Sequence, residues 1–144
     1  MTQLPVLITA APGFEPSYAK AGDAGADLRS TKKISIGPGA RELIPTGVAI
    51  ALPAGFVGLV HPRSGLALKY GVTVLNAPGT IDAGYRGEIM VTLFNSSSEP
   101  FDVEVGDRIA QLLIQSVEQA NFIPVAKLPG TDRGQAGFGS TGTT

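Results

Sequence analysis

Short runs of apolar residues recur along the whole chain, and each run ends at a cluster of Gly, Pro, Asn or Ser. The runs have the length of β-strands, and turn signals at this spacing are typical of an all-β sandwich or barrel. Strands are therefore predicted at residues 6–9, 41–44, 48–52, 56–61, 72–75, 88–94, 101–105 and 108–117.

One segment, residues 64–71, has the character of a helix of at most two turns. Ser64 is available as its N-cap, and Gly71 stands where a left-handed residue commonly ends a helix. The first turn of such a helix leaves backbone N–H groups unpaired, which suits an anion. A solvated connector is the commoner use of a segment of this kind.

The composition supports strands over helices and excludes several classes of partner. The chain has 144 residues, of which 19 are Gly and 11 are Pro, too many for a helical bundle. Hydrophobic residues make up 43% but aromatic residues only 6%, so Val, Ile, Leu and Ala must build the core. A net charge of -1 provides no basic field for a nucleic-acid polymer or an anionic membrane.

The chain contains no cysteine, which excludes disulfides, thiolate catalysis and cysteine-ligated metals. His61 is the single histidine and has no second metal-ligating neighbour in sequence, so a structural role is predicted for it. The first residues lack a basic region and are interrupted by Pro5 and Pro12. Neither a secretory signal nor a membrane span is expected there, and a cytoplasmic location is predicted.

The character of the chain changes near its end. Residues 1–128 are predicted to form a β-barrel domain, and residues 129–144 a flexible Gly-rich C-terminal arm with Phe138 as its only large apolar group. The string 137–142 matches G-x-G-x-x-G but has no following helix or strand, so a dinucleotide-binding fold is rejected. The arm is interpreted either as a disordered tail or as a segment that folds over a phosphate-bearing ligand.

Five stretches mix glycine with Asp, Arg, Ser, Thr or amide side chains where strands should turn: residues 21–28, 62–67, 76–88, 106–112 and 133–142. Each stretch alone is ordinary turn chemistry. Together they hold arginines and hydroxyls suited to a polyphosphate, and carboxylates suited to a metal hydration shell and an attacking water. The inventory points to a nucleoside triphosphate. Residues 76–88 are predicted to form a tight hairpin whose backbone approaches a flat ligand.

In chain order, the five stretches are AGDAGADL, PRSGLA, NAPGTIDAGYRGE, GDRIAQL and RGQAGFGSTG. They resemble the five ordered motifs of the homotrimeric dUTPase family, and their joint occurrence in family order is highly specific. The resemblance implies an all-β, distorted jelly-roll barrel or sandwich of the β-clip type with one short helix, assembled as a homotrimer with shared active sites. It also implies hydrolysis of dUTP to dUMP and pyrophosphate by water attack on the α-phosphorus. This reaction limits uracil in DNA and supplies dUMP for dTMP synthesis.

The resemblance assigns the base, the sugar and the attacking water to the third motif. Asp82 corresponds to the carboxylate that orients and deprotonates the water, and Tyr85 to the ring that leaves no room for a 2′-hydroxyl. Asn76 corresponds to the side chain that reads uracil. Further substrate-binding residues by the same correspondence are Gly79, Thr80, Ile81 and Met90. The plainer interpretations are a turn aspartate for Asp82 and a strand-edge tyrosine for Tyr85.

The phosphate ligands come from the other motifs. Arg63, Ser64 and Gly65 correspond to a phosphate cradle, while Asp27 and Gln111 correspond to groups that contact phosphates and magnesium-bound waters. Mg²⁺ would thus be held by triphosphate oxygens and water, without direct protein ligands. The arm residues implied to bind substrate are Arg133, Phe138, Gly139, Ser140 and Thr141, with Phe138 stacked over the uracil and the arm supplied by another subunit.

Two functions other than dUTP hydrolysis remain open. The related dCTP deaminases use a glutamate on the strand after the third motif, but the corresponding position here is Thr92, which cannot shuttle a proton. A catalytically silent β-module that binds nucleotides would keep the strands but need not keep Asp82, Arg133 and Phe138 together. Pyrophosphate release, ammonia release or neither would separate the three functions.

Overall fold

The computed structural model describes residues 3–139 and 141–142, and strands dominate that part of the chain. In chain order the elements are β1 (Leu7–Ala10), β2 (Ala26–Arg29), β3 (Ile34–Ile36), β4 (Arg41–Pro45), β5 (Val48–Ala51), β6 (Phe56–His61), α1 (Ser64–Tyr70), β7 (Val72–Val74), β8 (Gly79–Ile81), β9 (Met90–Asn95), β10 (Phe101–Val103) and β11 (Arg108–Ser116). Each strand predicted from the apolar runs is present, with its ends within two residues of the prediction. The all-β prediction is confirmed.

The strands pair antiparallel in small sheets. The largest sheet has the order β2-β11-β6-β8, and a second has the order β4-β9-β7. Two strand pairs, β1-β5 and β10-β3, complete the arrangement. Because neighbours within each sheet are mostly distant in sequence, the sheets bring the separate glycine-containing stretches together.

The core is aliphatic, as the composition predicted. The fully buried side chains include Leu28, Ile36, Ile44, Ile89 and Leu93. Four of them lie on strands of three different sheets, Ile89 directly precedes β9, and all five meet in one hydrophobic cluster. Along β2 the exposure alternates, since Leu28 points into this cluster while its neighbours are partly exposed. The sheets therefore share one core.

Three strands were not predicted, namely β2, β3 and β8. In β2 the charged residues Asp27 and Arg29 leave only two apolar positions, which is too few to indicate a strand. The strand β8 has three residues and begins with Gly79, whose missing side chain permits close pairing with Val60; a Cβ at residue 79 would lie 3.3 Å from the Val60 Cβ. These strands exist because of their partners and not because of their own sequence.

The helix α1 confirms one cap prediction and corrects the other. Gly71 ends the helix in the left-handed conformation, with φ of 63°, and its N–H donates to the Ala67 carbonyl at 3.1 Å. Ser64 as N-cap is wrong, because the N-cap is Arg63 and it makes no side-chain capping bond. The Arg63 carbonyl already accepts the Ala67 N–H at 3.1 Å, so the helical hydrogen bonds start one residue earlier.

The hairpin predicted for residues 76–88 is also wrong in its pairing. β8 pairs with β6, and β7 pairs with β9, so the segment links two sheets instead of folding onto itself as a two-stranded ladder. It still turns sharply, because the Tyr85 N–H donates to the Asp82 carbonyl at 3.0 Å. Among the described residues, no helix has the length and apolar character needed to cross a membrane.

Candidate active site

A cavity of about 370 Å³ lies where β6, β7, β8 and β9 meet. Its size falls within the range of roughly 300–1,000 Å³ of small-molecule sites. Apolar walls come from Leu43, Val60, Val74 and Val91. The polar rim comes mainly from the residues that follow β7 and β8, where the chain leaves one sheet for the other.

The base- and sugar-binding residues predicted from the third motif all line this cavity, and so does the predicted catalytic carboxylate. They are Asn76, Gly79, Thr80, Ile81, Asp82, Tyr85 and Met90. Gly79 is buried, and Asp82 is exposed at the rim of the cavity. One wall thus combines buried backbone for close approach to a flat ligand with a carboxylate open to water.

Hydrogen bonds hold residues 82–88 in a closed loop. Nη1 of Arg86 donates to the carbonyl oxygens of Ala83 at 2.6 Å and Tyr85 at 2.9 Å. The Tyr85 hydroxyl donates to the Glu88 carbonyl at 2.9 Å. The Glu88 carboxylate in turn accepts the Gly47 N–H at 2.7 Å, which ties the loop to the turn between β4 and β5. Glu88 also lines the cavity and was not predicted as a site residue.

A second cluster forms where β2 and β11 pair beside the start of α1. Asp27 faces two guanidinium groups: its Oδ1 lies 3.4 Å from Nε of Arg63 and its Oδ2 lies 3.3 Å from Nη1 of Arg108. The Asp27 side chain is only 14% exposed, so these contacts are partly shielded from solvent. Gln111 stands opposite Asp27 in the strand register and donates from Nε2 to the Pro62 carbonyl at 3.1 Å.

The cluster brings together Asp27, Arg63 and Gln111, which were predicted to bind phosphates and magnesium-bound waters, and adds Arg108. Ser64 and Gly65 are exposed next to Arg63. Arg63 also donates from Nη1 to the Arg108 carbonyl at 3.1 Å. Arg108 lies within the fourth glycine-containing stretch, but only its proximity to Asp27 marks it as part of the site. Arginine pairs of this kind suit the geometry of phosphate oxygens.

A second cavity, of about 280 Å³, borders this cluster. Its walls include Arg63, Arg108 and the side chains of Tyr70 and Phe101, whose ring centroids lie 5.2 Å apart. Among the described residues, none lines both cavities. Within one chain, the pocket suited to a base and the arginine cluster suited to phosphates are therefore separate.

The side chains available as metal ligands indicate how a metal ion could bind. Within residues 3–139 and 141–142, no group of three or more His, Cys, Asp or Glu side chains is arranged to hold a metal ion. Both Asp27 carboxylate oxygens face arginines, so direct ligation would compete with two ion pairs. The adjacent oxygen groups of Asp27 and Gln111 fit contacts to the water shell of Mg²⁺, which keeps several waters in most protein sites.

The arm makes only local hydrogen bonds in the part of the chain that the structure describes. Nε of Arg133 donates to the Ala136 carbonyl at 2.8 Å, and the Gly142 N–H donates to the Gly139 carbonyl at 2.9 Å. Phe138 is fully exposed, and Thr141 is exposed as well. The predicted residue Ser140 lies outside the described residues. None of the described arm residues lines either cavity.

His61 lies opposite Gln111 in the register of β6 and β11. Its Nε2 is buried and has no hydrogen-bond partner among the described residues. Within residues 3–139 and 141–142, His61 belongs to no group of three or more His, Cys, Asp or Glu side chains that could hold a metal ion.

An all-β domain with a nucleoside-sized pocket and a separate arginine cluster falls in the class of nucleotide-binding β-barrels. A sequence profile of the dUTPase family matches residues 13–142. The chain therefore belongs to the dUTPase family.

Curated relatives agree over most of the chain. Deoxyuridine 5′-triphosphate nucleotidohydrolase of Bifidobacterium longum is 65% identical over 126 residues, which is 87% of this chain and 80% of the relative. The protein of the same name from Leifsonia xyli is 58% identical over 130 residues, 90% of this chain and 86% of the relative. That of Cutibacterium acnes is 50% identical over 145 residues, 100% of this chain and 95% of the relative.

Solved structures agree on the fold. A variant of the dUTPase of Staphylococcus bacteriophage 80alpha, solved with dUpNHpp, superposes with a TM-score of 0.89 at 25% identity, covering 98% of this chain and 100% of that one. A variant of the dUTPase of the S. aureus phage phi11, which coordinates a structural Mg(II) ion, superposes with a TM-score of 0.80 at 22% identity, covering 88% of this chain and 100% of the other. The jelly-roll prediction is confirmed.

Proposed function

We propose that this dUTPase, which hydrolyses dUTP to dUMP and pyrophosphate, binds uracil and deoxyribose in the 370 Å³ cavity and activates the attacking water with Asp82. The observation that carries the proposal is the convergence on one cavity wall of an amide (Asn76), an aromatic ring (Tyr85) and a carboxylate (Asp82). These are the groups needed to read a base, to test a sugar and to accept a proton.

Uracil recognition rests on Asn76 and on the backbone of β8. A side-chain amide offers both a donor and an acceptor, which matches the O4, N3 and O2 edge of uracil. The buried Gly79 allows the backbone of Thr80 and Ile81 to approach the base. Met90 and the aliphatic walls fill the space around the ring. Exclusion of the 5-methyl group of thymine is assigned to this wall.

Asp82 acts as the general base. Its carboxylate lies at the cavity wall, where a water can reach it. A positioned base that takes the proton of the attacking water typically contributes about 10²–10⁴-fold to a rate. The proton moves from the water to an Asp82 carboxylate oxygen, the new O–P bond forms at the α-phosphorus, and pyrophosphate leaves.

The triphosphate is bound by the Arg63 cluster. Arg63, the N–H groups after Ser64, Gly65 and Gln111 bind the phosphate oxygens, and Asp27 holds both Arg63 and Arg108 in place. Mg²⁺ is the proposed cofactor, with Asp27 and Gln111 contacting its water shell. When bound, the ion neutralises negative charge on the phosphates. Positively charged groups that are already in place beside the leaving pyrophosphate lower the barrier, because they need no rearrangement during the reaction.

Each active site is shared between subunits of a homotrimer. A single chain keeps the base cavity and the arginine cluster apart, so a nucleotide in the cavity obtains its phosphate ligands from another copy. Uncovered apolar surface supports assembly, because Phe122, Ile123, Val125 and Leu128 are between 60% and 89% exposed in the single chain. Exposed apolar runs of this kind mark contact surfaces.

Residues 129–144 form the arm that closes the site. Arg133, Gly139, Ser140 and Thr141 bind the terminal phosphates, and the fully exposed ring of Phe138 stacks on the uracil. Closure excludes water and adds positive charge where charge develops. The place of action is the cytoplasm, where deoxynucleoside triphosphates are used.

The test is pyrophosphate release with Mg²⁺ from dUTP, dCTP, dTTP and UTP in parallel, with ammonia followed in the same reactions. Release from dUTP alone is expected. Equal release from UTP or dTTP contradicts the proposed roles of Tyr85 and of the cavity wall. Ammonia from dCTP would indicate a deaminase despite Thr92, and no product from any nucleotide would indicate a binding module.

A further inference from the structure

The ring of Tyr85 lies directly against the backbone of Gly87. A Cβ atom placed on Gly87 would come 2.6 Å from Cζ and 3.0 Å from Cε2 of Tyr85, and it would also collide with the tyrosine hydroxyl oxygen. Distances below about 3 Å are sterically forbidden between such carbon atoms. The observed ring position therefore requires that residue 87 have no side chain.

Backbone conformation does not explain this glycine. Gly87 is not among the residues with positive φ, so other L-amino acids can adopt its backbone angles. Gly84, in the same loop, also lacks a positive φ, and a Cβ added there would meet none of the described atoms within 4 Å. What distinguishes the surroundings of Gly87 is the tyrosine ring beside it.

The ring is also held by its hydroxyl group. It donates to the Glu88 carbonyl at 2.9 Å, and the Glu88 carboxylate is bound to the Gly47 N–H at 2.7 Å. The next residue, Ile89, is fully buried and donates its N–H to the Val48 carbonyl at 2.7 Å. The carbonyl that orients Tyr85 is thus attached to the core on one side and to the β4–β5 turn on the other.

We propose that Gly87 is a specificity-determining positioning residue, whose missing side chain lets the Tyr85 ring pack against the loop backbone in the position that excludes a ribose 2′-hydroxyl. The inference rests on the proposed role of Tyr85 in testing the sugar. A methyl group at residue 87 displaces the ring, because the far end of a side chain yields more easily than the backbone. Displacement of the ring changes the space at the 2′ position and leaves Asp82 and Asn76 in place.

The experiment compares kcat/KM for dUTP and UTP in the wild type, Gly87→Ala, Tyr85→Ala, the double variant and the matched control Gly84→Ala. The ratio of kcat/KM for dUTP to kcat/KM for UTP reports discrimination against the ribose 2′-hydroxyl. Gly87→Ala is expected to lower this ratio at least tenfold, and Gly84→Ala to leave it within twofold. In the Tyr85→Ala background, adding Gly87→Ala is expected to change the ratio less than twofold, since the ring it displaces is gone.

The outcomes separate this inference from the proposed function. An unchanged ratio in Gly87→Ala, beside a reduced one in Tyr85→Ala, overturns the role of Gly87 alone. A wild-type ratio in Tyr85→Ala overturns the role of Tyr85 and the inference with it. If Gly87→Ala does not fold, thermal unfolding of the double variant tests whether a clash with the Tyr85 ring is the cause. Recovery of folding without the ring supports the steric argument, and a persistent defect contradicts it.

Discussion

The backbone of Gly25 lies against the side chain of Gln111. A Cβ atom on Gly25 would come 2.9 Å from Cδ and 3.1 Å from Cβ of Gln111. The Gln111 amide is held from the other side by the Pro62 carbonyl, which accepts its Nε2 proton at 3.1 Å. The position of this amide beside Asp27 thus depends on the absence of a side chain at residue 25.

Gly25→Ala should therefore displace the Gln111 amide, and it should also lower stability somewhat because the Gln111 Cβ, which is fixed by β11, lies 3.1 Å from the added atom. We expect kcat/KM for dUTP to fall about tenfold, which corresponds to about 1.4 kcal/mol of lost transition-state stabilisation. Steady-state kinetics measure the change. Gly37→Ala is the control, because the nearest atom to a Cβ there is the Ala40 Cβ at 4.0 Å. Wild-type kinetics in Gly25→Ala would contradict a role for Gln111 in the site.

Asp82→Asn should keep nucleotide binding and lose most turnover. The amide has the shape of the carboxylate but cannot accept the proton of the attacking water, so kcat is expected to fall by about 10²–10⁴-fold. Calorimetry with a non-hydrolysable dUTP analogue should give a Kd within a few-fold of the wild type. Glu118→Gln makes the same charge change at an exposed residue outside both cavities and should be neutral. Retained turnover in Asp82→Asn would remove this residue as the base.

Deletion of residues 133–144 should abolish efficient catalysis and leave the barrel folded. The hydrogen bonds of the described arm residues are local, so the strands lose no partner among them. We expect kcat/KM to fall on the order of 10²-fold or more, because the arm arginine and its N–H donors are lost from the phosphates. Thermal unfolding and pyrophosphate release measure the two effects. A truncated protein with full activity would refute the assignment of the arm.

Asn95→Ala should destabilise the fold. Asn95 is fully buried, and its Nδ2 donates to the Ile36 carbonyl at 2.9 Å and the Glu99 carbonyl at 2.7 Å. Loss of these bonds in the core is expected to lower the free energy of unfolding by about 2–4 kcal/mol, since each unsatisfied buried group costs about 1–3 kcal/mol. Denaturant unfolding measures it. Asn121→Ala, at an exposed position, should change stability by less than about 0.5 kcal/mol.

Local sequence patterns were sufficient to predict most of the secondary structure. Apolar runs closed by Gly and Pro predicted strands such as β6 and β11, and Gly71 predicted the end of the helix. β2 was missed because Asp27 and Arg29 interrupt its apolar pattern, and β8 because a three-residue strand beginning with Gly79 has no pattern of its own. Both strands form because β11 and β6 present free edges to them.

The same division holds for the site. Residue types and their order were sufficient to predict the family and seven of the twelve residues that line the 370 Å³ cavity, because the residues of a motif occupy nearby positions in the chain. The pairing of Asp27 with Arg108, the anchoring of Glu88 on Gly47 and the clearance that Gly87 provides for Tyr85 were decided only by the fold. Asp27 and Arg108 are 81 residues apart in sequence, and only the pairing of β2 with β11 brings a carboxylate and a guanidinium within 3.3 Å. Distances of this kind depend on how strands pair and pack, and no local pattern in the chain encodes them.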